Sequence, residues 1–364
     1  MTSVAGFGYF YVYTVSMVWM VFFYYGKKGD WTAVCVAVAL SSCSVICVTK
    51  FVFMKLYAKE IKETVYKYLE CDSKVIPDTR FAKNLRKNLR IIKRRATVIW
   101  VTLVIDGLIY MMIPFVTPGR HFTTDLYLIY GLVPMNEPPN YEIALFINTI
   151  TTGFGVYTMS TVAVYVVVIV GYTEAQMYAL SEELRNVWDD SQNSYNEIKH
   201  TIRDKINAVN IKDKMQNEFT KIRLRDIIKF HITNIELLHE LDLQFRPTLA
   251  LECSIMAFSI IAELLGGLEH TFLQFPFSLI HAFMDCLTGQ RLIDACDNFE
   301  NALYFCKWEN FNVENRKTIL LMVGMSQKTL MLSAGGIAKL NFNFLMIILK
   351  STYSTYTTLN TMVK

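Results

Sequence analysis

The polar residues of this chain that could do chemistry sit mostly where they are costly, inside apolar stretches. Asp106, Glu252 and Glu263 each interrupt an apolar run. Hydrocarbon offers a carboxylate no partner, so each must face a cavity, water or protein. For Glu252 and Glu263 an interface or helix-end position is at least as good a reading as a functional role. Asp106 reads as accepting hydrogen bonds from neighbouring helices in preference to facing a water-filled vestibule. Further on, Asn341, Asn343, Lys350 and the Ser, Thr and Tyr hydroxyls between 351 and 358 share one segment. A membrane helix of that kind is too polar to face lipid all round, and fits a pore lining or a subunit interface. Enzyme chemistry finds no such support. The six histidines show no metal-ligand spacing, and His231 and His239 stand eight apart in a charged helical stretch. There is no phosphate-binding glycine loop and no nucleophile elbow. The eight cysteines contain no CxxC pair and lie in or beside apolar segments, as buried free thiols do. No catalytic group, metal or cofactor is expected, and no nucleic-acid partner.

The elements that position these groups are read from the clumping of charge. The 364 residues are 53% hydrophobic and 13% aromatic, with 19% charged against roughly 25% in soluble domains. Mean hydropathy is +0.29. Seven stretches are apolar and long enough to span a bilayer as helices: about 4–25, 31–56, 96–116, 143–173, 245–265, 271–287 and 340–361. The expected class is all-α, a polytopic membrane protein forming one unit over 1–364. Six helices lie in 1–288, and an amphipathic helix plus the last span in 289–364.

Between Lys59 and Arg95 stand twelve Lys or Arg against five Asp or Glu. The excess of positive charge places this loop in the cytoplasm, and with two spans before it the N-terminus is cytoplasmic too. Seven crossings then leave the C-terminus outside. The loop 117–141, rich in proline, falls outside the cell. The alternation of charged and apolar residues at helical spacing over 174–242 predicts cytoplasmic helices packed together. A G-protein-coupled receptor needs the opposite orientation. A transporter of two homologous halves would show an internal repeat, and none is apparent.

The C-terminal stretch carries a specific pattern: Gly289-Gln290-Arg291-Leu292, then Ala302-Leu303-Tyr304 and Trp308, Arg316-Lys317, a break at Ser333-Ala334-Gly335-Gly336, and the close Ile348-Leu349-Lys350-Ser351-Thr352-Tyr353-Ser354. In this order the pieces resemble the C-terminal signature of insect odorant receptors, most sharply over 289–364. Thr329 stands where that family commonly has proline, and Thr352 and Thr355 interrupt its usual Ser-Tyr run. A gustatory receptor shares the topology but ends in a different motif.

The resemblance implies an odorant-specific subunit of a ligand-gated cation channel, assembled as a tetramer with coreceptor subunits in the plasma membrane of a sensory dendrite. Its partners would be membrane lipid, permeating cations and a volatile hydrophobic molecule held among the helices near the outer leaflet. An apolar ligand is held by aromatic and adaptable methionine side chains with a few oriented polar groups. The candidates are Val38, Val104, Gly107, Tyr110, Met111, Phe146, Thr151, Phe154, Tyr157, Met256, Phe258 and Phe275. With the C-terminus outside, Leu359, Met362 and Val363 could close a pore by dewetting, and they match the hydrophobic gate at the end of the family's last helix. Ser351 and Thr355 would line the conduit further in.

Overall fold

In the computed structural model, residues 2–199, 208–327 and 330–363 are described, with the backbone alone at 2–5, 208–209, Met362 and Val363. Thr329 and the side chains of Met362 and Val363, singled out above, thus lie outside the described residues. So does the middle of the helical stretch predicted over 174–242.

Each of the seven expected spans falls on a helix. The first, α1 (2–28), is continuous, but loosens to π geometry at Tyr11–Val15 and Met20–Tyr24. Gly29, with φ of 72°, ends it, and the Asp30 carboxylate accepts from the Ala33 N–H to open α2 (Trp31–Leu56). A short α3 (Ala58–Ser73) and an N-cap at Thr79 lead into α4 (Arg80–Val116), where the basic run and the third span form one helix. The same continuity holds for α5 (Asn140–Ile198) and α6 (Ala208–Leu265), each a membrane span extended by many turns. A turn at Gly267, φ 85°, leads to α7 (Gln274–Tyr304), followed by α8 (Val313–Ser326). The predicted break is a two-residue antiparallel hairpin, β1 (Ser333–Ala334) with β2 (Ala338–Lys339), and α9 (Phe342–Val363) closes the chain. Residues 6–28, α2, α4, α5 and residues 210–265 of α6 are each long and apolar enough to cross a membrane. The remaining two, α7 and α9, carry more polar groups.

Packing runs chiefly along α4–α5, α5–α7, α2–α6 and α5–α6. One core surrounds Val170, Leu180, Leu184, Leu238, Leu292, Phe299 and Leu303, where the extensions of α5 and α6 meet α7 and α8. A second joins Tyr9, Val12, Met20, Val36, Ala144, Met256 and Ile260 in the span region. Ion pairs fasten the basic end of α4 to α5: Arg80 with Glu183 at 2.9 Å and with Asp190 at 2.5 Å, and Arg95 with Glu174 at 2.5 Å.

Within the span region, α2, α6 and α7 share a charged cluster. The Lys50 ammonium lies 2.6 Å from the Glu252 carboxylate and donates to His281 Nε2 at 3.1 Å. Nδ1 of the same imidazole stands 3.1 Å from Glu252 and 3.8 Å from Asp285. Lys50, Glu252 and His281 are each at most 5% exposed. Glu252 is therefore an interior residue, not a helix-end or interface one. Glu263 keeps its helix-end position, two residues from the end of α6, but is fully buried there and accepts from Ser259 and Ser278 at 3.1 and 2.7 Å.

Removing one member of such a cluster strands the others. Glu252→Ala should cost about 3–5 kcal/mol, whereas replacing the pair together, Lys50→Met with Glu252→Leu, should recover most of it; thermal unfolding of purified protein reads both. In the extension core, His231 stacks on Phe299 at 4.5 Å, and burial lowers its pKa to about 4. The unfolded chain takes up that proton near pH 6.5, so stability is whole above this value and is lost as pH falls toward 4. The loss is roughly 3 kcal/mol. His231→Phe should flatten unfolding midpoint against pH across that window; an unchanged slope would place the sensitivity elsewhere.

Candidate functional site

A cavity of about 90 Å³ lies inside the span region, walled by five helices. From α1 come Tyr9 and Tyr13, from α2 Leu40 and Cys43, and from α4 Asp106, Gly107 and Tyr110. Helix α5 presents Thr152, Gly155, Val156 and Met159, and Leu273, Gln274 and Phe277 stand at the start of α7. Two glycines make the space by bringing helices together. A Cβ at Gly107 would meet Val156 at 2.5 Å, and one at Gly155 would meet the Tyr9 ring at 2.7 Å.

The loop 117–139 forms the roof. Its Phe122, Tyr127, Ile129 and Met135 are buried. The Tyr127 hydroxyl donates to the carbonyls of Val12 and Tyr13 at 3.0 and 2.9 Å, occupying acceptors where α1 turns to π geometry. Tyr25 and Tyr11 donate in turn to the loop carbonyls of Leu126 and Tyr130. Tyr13 and Tyr110 are shared between the cavity and a nearly filled space beneath this roof. The Tyr13 hydroxyl is held by Asn148 and Thr152 at 2.9 and 2.8 Å.

Of the ligand-contact candidates, Gly107 and Tyr110 line the cavity. Met111 lies close to Gly153, Phe154 packs on Tyr9 and Phe51, and Met256 and Phe275 belong to the surrounding core. Thr151 is buried and donates to its own helix, while Val38 and Val104 are partly buried outside the lining. Phe146, Tyr157 and Phe258 are 67%, 65% and 57% exposed on this chain, pointing away from the cavity. On α5 the inward-facing residues are Thr152, Gly155, Val156 and Met159, about one residue out of phase with Thr151, Phe154 and Tyr157. Asp106, expected to hydrogen-bond its neighbours, instead lines the cavity with no hydrogen bond or ion pair among the described residues. On α9, Ser351, Thr355 and Leu359 are all exposed on the single chain.

Other features of the span region do different work. Glu252, His281 and Asp285 hold ligand atoms within 4.8 Å of one another, as a metal site does, but the Lys50 ammonium already supplies the cation between two of them. A larger hollow of about 670 Å³ between α3, α4 and α5 opens beside Lys93 and Trp100, where the basic run of α4 gives way to its apolar span. Its walls are mostly apolar, and the Tyr172 hydroxyl among them donates to Asp72 at 3.0 Å.

The 7tm Odorant receptor family model matches residues 30–353. No curated protein sequence matches the chain. Among solved structures, the fold is similar to that of the insect olfactory receptor OR5 from Machilis hrabei. The TM-score is 0.76 at 12% identity, over 98% of this chain and 87% of that one. The same receptor in complex with eugenol gives a TM-score of 0.76 at 11% identity, over 100% of this chain and 88% of that one.

Because Gly107 sets the approach of α4 to α5, Gly107→Ala should destabilise the fold by about 1–3 kcal/mol through overpacking. Adding Val156→Ala opens room for the new methyl and should restore the unfolding midpoint. A single variant as stable as wild type would show that the two helices can separate freely.

Proposed function

This chain belongs to the odorant receptor family, and we propose that it acts there as a ligand-binding subunit: a small volatile molecule occupies the roofed cavity and biases a cation pathway formed with coreceptor subunits. The observation that carries this reading is the cavity itself. It is mostly apolar and aromatic and built from five helices with few polar groups, as the linings of small-molecule sites are. The relative whose fold is similar has been solved with eugenol bound, which is in keeping with a small volatile ligand here.

The proposed topology, in the plasma membrane, keeps the N-terminus cytoplasmic and the C-terminus outside, an orientation that the basic run of α4 supports. In this arrangement the loop 117–139 lies at the outer surface and the extensions of α5 and α6 in the cytoplasm. The hydroxyls of Ser351 and Thr355 and the side chain of Leu359, exposed on one chain, would face a conduit shared with neighbouring subunits. Leu359, Met362 and Val363 would form its outer constriction, closed by dewetting.

Helix α7 supplies a physical link between the two ends. Phe277 touches the cavity, His281 and Asp285 join the charged cluster, and Gly289 approaches the entry to α9. A Cβ at Gly289 would fall 2.1 Å from the Leu340 carbonyl oxygen. The two segments are in direct contact, so a shift of α7 must be met at the entry to α9. The ligand opens the pathway only by as much as it binds the open arrangement more tightly.

Cells expressing this chain with an insect odorant coreceptor should give a cation current on exposure to volatiles, and cells lacking either subunit should not. Leu359→Ser should raise the current without ligand, and Tyr110→Ala should shift ligand potency at unchanged surface expression. No evoked current from a surface-expressed pair over a broad panel would sink the channel reading.

A further inference from the structure

The polar groups of the cavity divide into those already engaged and those left waiting. The Cys43 thiol lies against the hydroxyls of Ser259 and Ser278, at 3.6 and 3.7 Å, and the Tyr13 hydroxyl is held by Asn148 and Thr152. Gln274 is different. Its side chain lines the cavity at 8% exposure, and both amide atoms, Oε1 and Nε2, are buried with no hydrogen-bond partner among the described residues. Across the same space the Asp106 carboxylate also has none. An amide buried with both ends unpaired carries a desolvation cost that a correctly placed ligand group removes.

We infer that the cavity selects a hydroxyl-bearing odorant, a small alcohol or phenol, with Gln274 as the residue that recognises the hydroxyl. This deepens the proposed function and rests on it. The selection follows from counting donors and acceptors. A hydroxyl oxygen accepts from the Gln274 Nε2–H while its O–H donates to Gln274 Oε1 or to the Asp106 carboxylate. A ketone, ether or ester accepts only, leaving Oε1 and Asp106 without a donor. An ammonium donates only and leaves Nε2–H unserved. An ionised carboxylic acid would face the Asp106 charge. A hydrocarbon leaves the buried Gln274 amide unpaired and offers Asp106 nothing. The size limit is equally plain. An engineered cavity of about 150 Å³ takes benzene, so about 90 Å³ admits only a short-chain alcohol until side chains such as Tyr110 give way.

The test compares four molecules of equal heavy-atom count: 1-butanol, butanone, butylamine and pentane. Each is applied to cells carrying the chain and coreceptor, and to the purified receptor assembly in lipid nanodiscs, with current and thermal unfolding as readouts. On wild type, 1-butanol should be at least about tenfold more potent than butanone and pentane, the scale of leaving one buried polar group unpaired. Gln274→Met, close in shape but lacking the amide, should erase that advantage while leaving the response to pentane equal or stronger. Gln274→Leu gives the same reading should the methionine variant fail to reach the surface. Preference for butylamine on wild type overturns the hydroxyl assignment, as does a 1-butanol advantage that survives both substitutions. Should none of the four act while larger volatiles evoke current, the hydroxyl class fails and the receptor reading stands. If no volatile evokes current or shifts unfolding, both fail together.

Discussion

The span region is arranged around one expensive interaction, the charged cluster of Lys50, Glu252, His281 and Asp285. Ionised groups inside a bundle cost several kcal/mol each unless they meet partners in good geometry. Lys50 reaches Glu252 and His281 at 2.6 and 3.1 Å only when α2, α6 and α7 hold one rotation and one height relative to each other. Apolar packing would tolerate a slide of a turn, because one branched side chain replaces another at small cost. The cluster does not. It fixes α2 and α7, two of the helices around the cavity, against α6, and Ser278, bonded to the buried Glu263, repeats the same α6–α7 pairing nearer the start of α7.

The polar fastening continues outside the spans. Asp242 on α6 accepts from Arg246 at 2.5 Å and from the backbone N–H and hydroxyl of Ser333 at 2.8 and 2.9 Å. The Gly335 N–H in turn donates to the Arg246 carbonyl at 3.1 Å. The hairpin before α9 is thus hung on α6, and Gly335 and Gly336 adopt φ of 65° and 75°, values that favour residues without a Cβ. Helix α6 therefore carries both the hairpin anchor at Asp242 and the cluster at Glu252, ten residues or roughly 15 Å apart along one continuous helix. The entry to the last helix and the interior of the bundle are set by the same rod.

Much of this was legible in the sequence. The seven spans follow from uncharged runs, and the basic run of α4 and the Gly335-Gly336 break stand where they were read. The C-terminal motif also has physical content: Gly289 is required where Leu340 passes, and the Gln290 side chain accepts from the Phe342 N–H at 3.4 Å. What the sequence could not supply was rotation. A membrane helix apolar on every side has no moment to say which face turns inward, so Thr151, Phe154 and Tyr157 were as plausible as Thr152, Gly155 and Met159. A single-residue error turns a helix by about 100° and sends Tyr157 to the outside. The π turns of α1 compound the difficulty by shifting the phase of Tyr9 and Tyr13 within their own helix. The charged cluster was hidden for another reason. Lys50 looks like the polar end of a span, and its partners lie about 200 and 230 residues further on.

The same geometry explains why the cavity can be sensitive to one ligand group. Around it, several polar groups are satisfied by the bundle itself: Tyr127 donates to carbonyls of α1, and Ser278 to Glu263. A site in which every wall atom is paired can judge a ligand only by size. Gln274 stands at the first turn of α7, three residues before Phe277, on the helix that next enters the charged cluster and then meets Leu340. Satisfying that amide acts on the one element that touches the cavity, the cluster and the entry to α9. Chemical selectivity and mechanical leverage thus fall on the same helix.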